Sequence, residues 1–474
     1  MARVLMVSSE AAPFAKTGGL ADVLGALPKA LLTHGHRVAV CLPRYRGVSL
    51  NGPTRVHQNL LAHLGSRGFS LDVWAHELEG VTFYFLDCPP LFDRPGIYSA
   101  NGSDFPDNHL RFAALCHGVL GVLRFLFSAD ILHLHDWQAA LCAPYLRTRF
   151  QLDPSFFHLK IVFTIHNLEH QGRFGPHEFG ELGLDAWLRQ PQFLGHNGDV
   201  NLMKGGILFP DAITTVSPRY AQEIQTPEYG FGLDGLIREY AARLTGILNG
   251  ADYSEWNPET DRYLVANYSA VNLHGKRLCK RDLLAELGLP DENLARPLLG
   301  IVSRFARQKG LHLFADIAWE LMNEDICLCV VGSGDPDTED FFRNLASAFP
   351  GRVAGFIGYN DPLAHKVEAG ADIFLMPSLF EPCGLNQIYS LRYGTIPVVR
   401  ATGGLDDTVD HETGFKFWGY WSRDFLLAIR AALDEFRNGP EEWERRIRTA
   451  MARDFSWNAS AAKYSELYAG LLDD

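Results

Sequence analysis

No run in this 474-residue chain approaches the ~20 consecutive apolar residues that span a bilayer. A helical membrane protein is therefore excluded. The opening Met-Ala-Arg-Val-Leu-Met-Val-Ser-Ser is a short apolar run that begins a strand. It lacks the longer apolar core and cleavage site of a secretory signal, and the Arg- and Ser-rich character of a transit peptide. No CxxC pair occurs among the eight cysteines, and Cys41, Cys327 and Cys329 lie inside apolar runs. Reduced core thiols of a cytoplasmic protein are expected. Low-complexity sequence is missing too, because 25 prolines and 44 glycines are spread along the chain. Positive charge is in deficit: 43 Lys and Arg face 56 Asp and Glu, for a net −13. That argues against nucleic acid and against an anionic membrane, both of which need a basic surface. A polyanionic ligand would require a local basic cluster.

What is present is an ordinary globular composition, 47% hydrophobic and 21% charged. Single cores stop growing near roughly 250–300 residues, so two domains are expected. Short apolar or β-branched runs alternate with amphipathic helical stretches. The first series of strands is Val4–Val7, Val38–Leu42, Val81–Leu86, Ile131–Leu134, Lys160–Thr164, Ala212–Val216 and Gly246–Leu248. The second is Leu298–Val302, Ile326–Val331, Val353–Ile357, Ile373–Met376 and Ile396–Val399. Such alternation implies an α/β protein with parallel sheets covered on both faces. A turn-rich stretch near Asn249–Tyr268 divides the chain, and a final helix of about Ala459–Leu472 follows Asp-Phe-Ser-Trp. The expected domains are 1–248, 249–456 and a closing segment 457–474. Open α/β sheets bind ligands beyond the carboxyl ends of their strands, so two facing sheets would form a cleft.

The residues just after the strands carry the chemistry. Lys16-Thr17-Gly18-Gly19-Leu20-Ala21-Asp22-Val23 opens a helix Leu20–Leu32. Paired glycines admit a ligand close to the backbone, and a helix N-terminus favours anions. His135-Asp136-Trp137-Gln138 and Ile165-His166-Asn167 end two further strands, where polar groups can meet a sugar. Metal binding is a rival for His133, His135, Asp136 and His166. His133 is expected to face away from His135, no Cys or carboxylate trio completes a zinc set, and no metal site is expected. Asp335-Pro336-Asp337 reads as a solvated turn. In the second half, Ser303-Arg304-Phe305-Ala306-Arg307-Gln308-Lys309-Gly310 places Arg304 and Lys309 at a strand-to-helix junction suited to a diphosphate. Glu381, in Phe380-Glu381-Pro382-Cys383-Gly384-Leu385, precedes a helix Asn386–Tyr393. Thr402-Gly403-Gly404-Leu405 forms another glycine-rich turn that could donate N–H groups.

In this order, at matching strand ends, these segments resemble the bacterial glycogen synthase and plant starch synthase family. Asn249-Gly250 joins them, and the resemblance spans nearly the whole chain. It implies a GT-B fold of two Rossmann-like domains, with the last helix crossing back to the first. It implies ADP-glucose as donor, the non-reducing end of an α-1,4-glucan as acceptor, retention of configuration, and no metal or other cofactor. By the same resemblance Arg304 and Lys309 grip the diphosphate, and Lys16, Gly18 and Gly19 approach the distal phosphate. Glu381 contacts glucose hydroxyls, while Cys383, Gly384 and Leu385 supply backbone N–H groups. Thr402, Gly403 and Gly404 belong to the donor site, and Tyr359 stacks on adenine. His166 and Asp136 line the glucose or acceptor pocket, joined by Asn249 and Tyr98. The family's usual Asn-Gly-Ile-Asp is here Asn249-Gly250-Ala251-Asp252, and the stretch Gly414–Tyr420 departs from the familiar pattern. A second carboxylate eight residues past Glu381, common in related transferases, is replaced by Tyr389. Rival readings are a sucrose synthase-like or trehalose-forming transferase, a silent glucan-binding protein, and a glucan phosphorylase, which would be longer and carry a pyridoxal lysine. No oligomeric state is read from the sequence.

Overall fold

The computed structural model describes residues 1–50 and 52–473. Asn51 and Asp474, inside the expected first domain and closing segment, lie outside the described residues. The chain forms two compact units. The first holds Met1–Val216, Ala221–Gly250 and the residues from Trp457 onward; the second holds Ser217–Tyr220 and Ala251–Ser456. Asn249 and Gly250 thus fall in the first unit, not at the head of the second.

The sheet of the first unit has nine strands: β1 (Arg3–Val7), β2 (Arg37–Pro43), β3 (Thr54–Leu64), β4 (Arg67–Leu78), β5 (Val81–Asp87), β6 (Ile131–His135), β7 (Lys160–Ile165), β8 (Ala212–Thr215) and β9 (Leu244–Gly246). Their order is β9-β8-β7-β6-β1-β2-β5-β4-β3. The chain moves from β1 outward through β2 to β5, then returns to β6 on the other side of β1. The switch point therefore lies between β1 and β6, where a doubly wound sheet opens a crevice for ligands. The β3–β4 hairpin, absent from the sequence-based expectation, adds an antiparallel edge to this otherwise parallel sheet. Leu64 pairs with Arg67 across the two-residue turn Gly65-Ser66, and Gly65 takes φ +57°, which favours glycine. The last expected strand of this series lies two residues earlier, at β9.

The second unit has six parallel strands: β10 (Leu298–Phe305), β11 (Cys327–Gly334), β12 (Val353–Ile357), β13 (Ile373–Met376), β14 (Ile396–Arg400) and β15 (Phe415–Phe417). Their order β12-β11-β10-β13-β14-β15 puts the switch point between β10 and β13. Period-two alternation fills both faces. Leu299, Ile301, Leu328 and Val330 enter one apolar cluster, and Leu298, Cys327, Cys329 and Val331 the other. All eight cysteines are buried, and none is joined in a disulfide among the described residues.

Two helices matter for position. Helix α1 (Gly19–Thr33) follows β1, and α2 (Trp457–Asp473) closes the chain. Helix α2 docks on the first unit through buried Tyr464 and Tyr468. The Tyr468 hydroxyl lies 2.7 Å from His133 Nδ1, and Ser465 Oγ lies 2.7 Å from His36 Nε2. Among the described residues no helix is long and apolar enough to cross a membrane.

Candidate active site

Each switch point carries a cluster of the expected residues. In the first unit, β6 delivers His133, His135 and Asp136. Side chains two apart on a strand share a face, so the expectation that His133 turns away from His135 is wrong. Their rings lie 4.2 Å apart, centroid to centroid. His133 is bonded to Thr164 Oγ1 at 2.6 Å and to Tyr468, while His135 Nδ1 meets His166 Nε2 at 2.9 Å. Burial pushes His133 and His166 down to about 3 and His135 well below its usual value, so all three are neutral near pH 7. Asp136 sits in the left-handed region at φ +57°, rare for a non-glycine residue. Its Oδ1 accepts the His166 N–H at 2.7 Å. Burial pushes its carboxyl up to about 7, against the opposing backbone N–H groups of His166 and Asn167. Asp136 and His166 keep part of their surface open while surrounded by protein, the setting in which a carboxyl and an imidazole can meet sugar hydroxyls.

The loop after β1 is held by a residue that the sequence reading did not single out. Buried Glu10 accepts hydrogen bonds from the N–H of Thr17 at 2.5 Å, the N–H of Gly18 at 3.2 Å, Thr17 Oγ1 at 2.7 Å and Tyr98 Oη at 2.5 Å. The available signal was its place three residues beyond β1, at the carboxyl edge. Tyr98, expected to line the sugar pocket, is half-buried and gives its hydroxyl to Glu10 and Ser9. Lys16 pairs with Asp22 at 2.6 Å, one turn into α1. A Cβ on Gly18 or Gly19 would meet no protein atom within 4 Å. Nothing in the protein's own packing demands glycine there, and the space in front of the loop is open. Asn249 is buried, and its Oδ1 has no partner among the described residues.

In the second unit, strand β10 runs through Arg304 rather than stopping at Val302, and a tight turn Arg307–Lys309 follows. Arg304 is exposed and makes no ion pair among the described residues. Lys309 Nζ reaches Glu381 Oε2 at 2.6 Å, and Ser378 Oγ donates to the same oxygen at 3.0 Å. The loops after β10 and β13 are tied by Leu379 N–H to Gln308 O at 2.8 Å and Gln308 Nε2 to Phe380 O at 3.2 Å. Gly310, at φ +68°, permits that approach, since a Cβ there would lie 1.9 Å from the Pro377 carbonyl oxygen. Helix α3 (Asn386–Tyr393) starts behind Glu381, Cys383, Gly384 and Leu385, and Asn386 Nδ2 anchors it to the Val302 carbonyl at 2.8 Å.

The turn Thr402-Gly403-Gly404 commits two of its three N–H groups within the protein. The Gly404 N–H is spent on Glu381 O at 3.0 Å, and the Thr402 N–H on Arg400 O at 2.9 Å. Its glycines serve close packing, because a Cβ on Gly403 would sit 1.9 Å from Glu381 O and one on Gly404 2.0 Å from Cys383 O. Tyr359 stands 81% exposed after β12, its hydroxyl 3.2 Å from Asp361. Tyr389 is stacked on Trp256 with centroids 4.0 Å apart, so it serves packing. Asp335 is exposed as expected, and it also caps helix Pro336–Ala348 by accepting the Thr338 N–H. Among the described residues, one group of three ligand-type side chains converges, namely Glu255, Asp361 and His365, and it includes none of the expected site residues.

Comparison with known proteins extends this picture. The family described as starch synthase catalytic domain matches residues 3–239, and that of glycosyl transferases group 1 matches residues 290–449. Glycogen synthase of Koribacter versatilis (strain Ellin345) is 47% identical over 98% of this chain and 97% of its own length. Glycogen synthase of Myxococcus xanthus (strain DK1622) is 47% identical over 99% of both chains. Among solved structures, the catalytic domain of starch synthase IV from Arabidopsis thaliana, bound to ADP and acarbose, matches with TM-score 0.92 and 33% identity over 100% of both chains. Sucrose-phosphate synthase from Thermosynechococcus elongatus shares the fold, with TM-score 0.62 at 17% identity.

Proposed function

We infer the reaction from one premise: the chain belongs to the glycogen synthase and starch synthase family of GT-B glycosyltransferases. It is a glycosyltransferase that extends an α-1,4-glucan in glycogen biosynthesis. ADP-glucose is the donor, and the acceptor is the non-reducing end of the glucan. The observation that carries this reading at the level of atoms is the meeting of Lys309 and Glu381 at the second sheet's switch point, with Arg304 on the adjoining strand end. A cation beside a nearly buried carboxylate fits a diphosphate bonded to a sugar: Lys309 and Arg304 bind the phosphates, and Glu381 accepts from glucose hydroxyls. Cys383, Gly384 and Leu385 frame the same sugar, and Tyr359 offers its exposed ring to the base. In the first unit the open loop at Gly18 and Gly19, with Lys16, takes phosphate oxygens. Asp136 and His166 take hydroxyls of glucose or acceptor.

The transfer retains configuration. The bond between glucose C1 and the phosphate oxygen breaks, the acceptor O4 attacks C1 from the same face, and the departing phosphate takes the acceptor's proton. A double displacement would need a second carboxylate paired with Glu381, as in retaining hydrolases, and no such pair is evident in the sequence, Glu381 being the one acidic candidate from the second unit. Charge on the leaving group is offset by Arg304 and Lys309, so no metal or other cofactor is required, and the enzyme works in the cytoplasm. Incubation with ADP-[¹⁴C]glucose and glycogen, with and without EDTA, tests this. Label should enter polymer at the same rate in both. Label from the UDP analogue alone, or none from either donor, overturns the donor assignment; loss of transfer in EDTA overturns the metal-free mechanism.

A further inference from the structure

The loop that leaves β15, Phe417-Trp418-Gly419-Tyr420-Trp421-Ser422, carries two large exposed rings that the residues above do not use. Trp418 is 68% and Trp421 71% exposed, whereas indoles are usually well covered. The loop is built to hold them. Gly419 makes room for Trp421: a Cβ there would lie 2.7 Å from Trp421 Cδ1 and 2.3 Å from Asp424 Oδ2. Helix α4 (Ser422–Asn438) begins immediately after Trp421, whose carbonyl accepts the Phe425 N–H at 3.2 Å. Tyr420 points the other way and anchors the loop. Its ring lies under the Arg400 guanidinium at 5.1 Å and edge-on to His312 at 5.6 Å. Its hydroxyl comes within 3.1 Å of where a Cβ on Gly310 would sit. Gly310 adjoins Lys309, and Arg400 also donates to the Leu379 carbonyl, two residues before Glu381. The two indoles therefore stand on a loop packed directly against the segments that carry Lys309 and Glu381, at the carboxyl edge of the same sheet.

We propose that Trp418 and Trp421 form a stacking platform for the α-1,4-glucan, a polymer-binding subsite on the second unit. The proposal rests on the family's reaction as stated above. A glucan presents alternating apolar C–H faces and hydroxyl edges. A tryptophan offers a flat apolar face with an N–H at its rim, a matching pair of surfaces. The nearby cation Lys416 is neutralised by Asp406 at 2.7 Å, and exposed Arg423 and the Asp424 carboxylate flank the rings, so the surface offers apolar faces with hydrogen-bonding groups at their rim, suited to a polyol. The acceptor is a long polymer, and stacking outside the reacting centre adds affinity for polymer over short oligosaccharide without touching the donor.

Trp418→Ala, Trp421→Ala and the double variant test the proposal, with Trp319→Ala, an exposed indole on the helix Leu311–Leu321, as control. Retention on glycogen in affinity electrophoresis and KM for glycogen should each weaken by roughly five- to ten-fold per indole. KM for ADP-glucose, kcat on maltotriose and the melting temperature should stay at wild-type values, as should every property of Trp319→Ala. Unchanged retention with intact transfer overturns the platform while leaving the reaction standing. A raised KM for ADP-glucose reassigns the rings to the donor. A wild-type dimer that the double variant converts to monomer by light scattering reassigns them to a second copy. Wild-type protein that binds glycogen through these rings but transfers no glucose overturns the reaction and keeps the subsite.

Discussion

At the scale of single residues, Lys309 and Glu381 show how placement turns ordinary side chains into a site. The pair is 2.6 Å apart with the carboxylate nearly buried, and an isolated pair of this kind adds little net stability because desolvation offsets attraction. In the proposed reaction the pair presents a fixed cation and a fixed acceptor to the donor. Lys309→Ala should therefore lower kcat by roughly 10²–10³-fold, the usual loss when one preorganised charge-stabilising group is removed. Glu381→Gln, which keeps the shape and removes the charge, should fall by a similar factor. Steady-state kinetics with ADP-glucose check both, beside thermal melts that record separately the cost of leaving the partner without its counterpart. Wild-type kcat in either variant removes that residue from the reaction. These two residues were legible in the sequence because each stands just after an apolar run, next to glycine or proline. Glu10 was less legible: it lies in Ser-Ser-Glu-Ala, with no glycine to mark a turn, and its role emerges from a loop that returns to it seven residues later.

At the scale of elements, the parallel strands were readable because burial on both faces makes them continuous apolar runs. The β3–β4 hairpin was not, since one face is largely exposed and Thr54–Leu64 mixes polar residues at most positions. Its Gly-Ser turn between alternating segments was the overlooked signal. The closing helix α2 was expected within two residues of its observed start, but what fixes it is tertiary. Tyr468 meets a histidine that is itself buried beneath Asp136's neighbours, His135 and His166. Tyr468→Phe keeps the ring and leaves His133 Nδ1 without its partner, at a cost of about 1–3 kcal/mol. Chemical denaturation should show a lower midpoint with an unchanged slope. An unchanged midpoint would mean that the hydroxyl contributes nothing to docking α2.

At the scale of the whole molecule, buried titratable groups set how stability depends on pH, and their signs oppose one another. His133 and His166 are held near 3, His117 near 4 and His135 well below normal, each chiefly by burial. Their stabilising contribution is present above the ordinary histidine value of 6.5 and is lost as pH falls below it, because the unfolded chain takes up protons that the folded one refuses. Asp136, raised to about 7, and Glu368, raised to about 8, again by burial, act in reverse. Their contribution is complete below the ordinary carboxylate range and disappears as pH rises through 7 to 8. Between pH 5 and 6.5 these four histidines outweigh the two carboxylates, and above 6.5 the carboxylates dominate until Lys276, held down to about 8 by burial, begins to act in the opposite sense. The melting temperature should therefore peak near neutrality and fall on acidification. Asp136→Asn isolates one contribution, because the amide oxygen can still accept the His166 N–H but cannot ionise. Relative to wild type, the variant's melting temperature should rise steadily from pH 4 to pH 7 and level off beyond. Two curves that run parallel across that range would show that Asp136 titrates as an ordinary carboxylate and would overturn the burial effect argued for it.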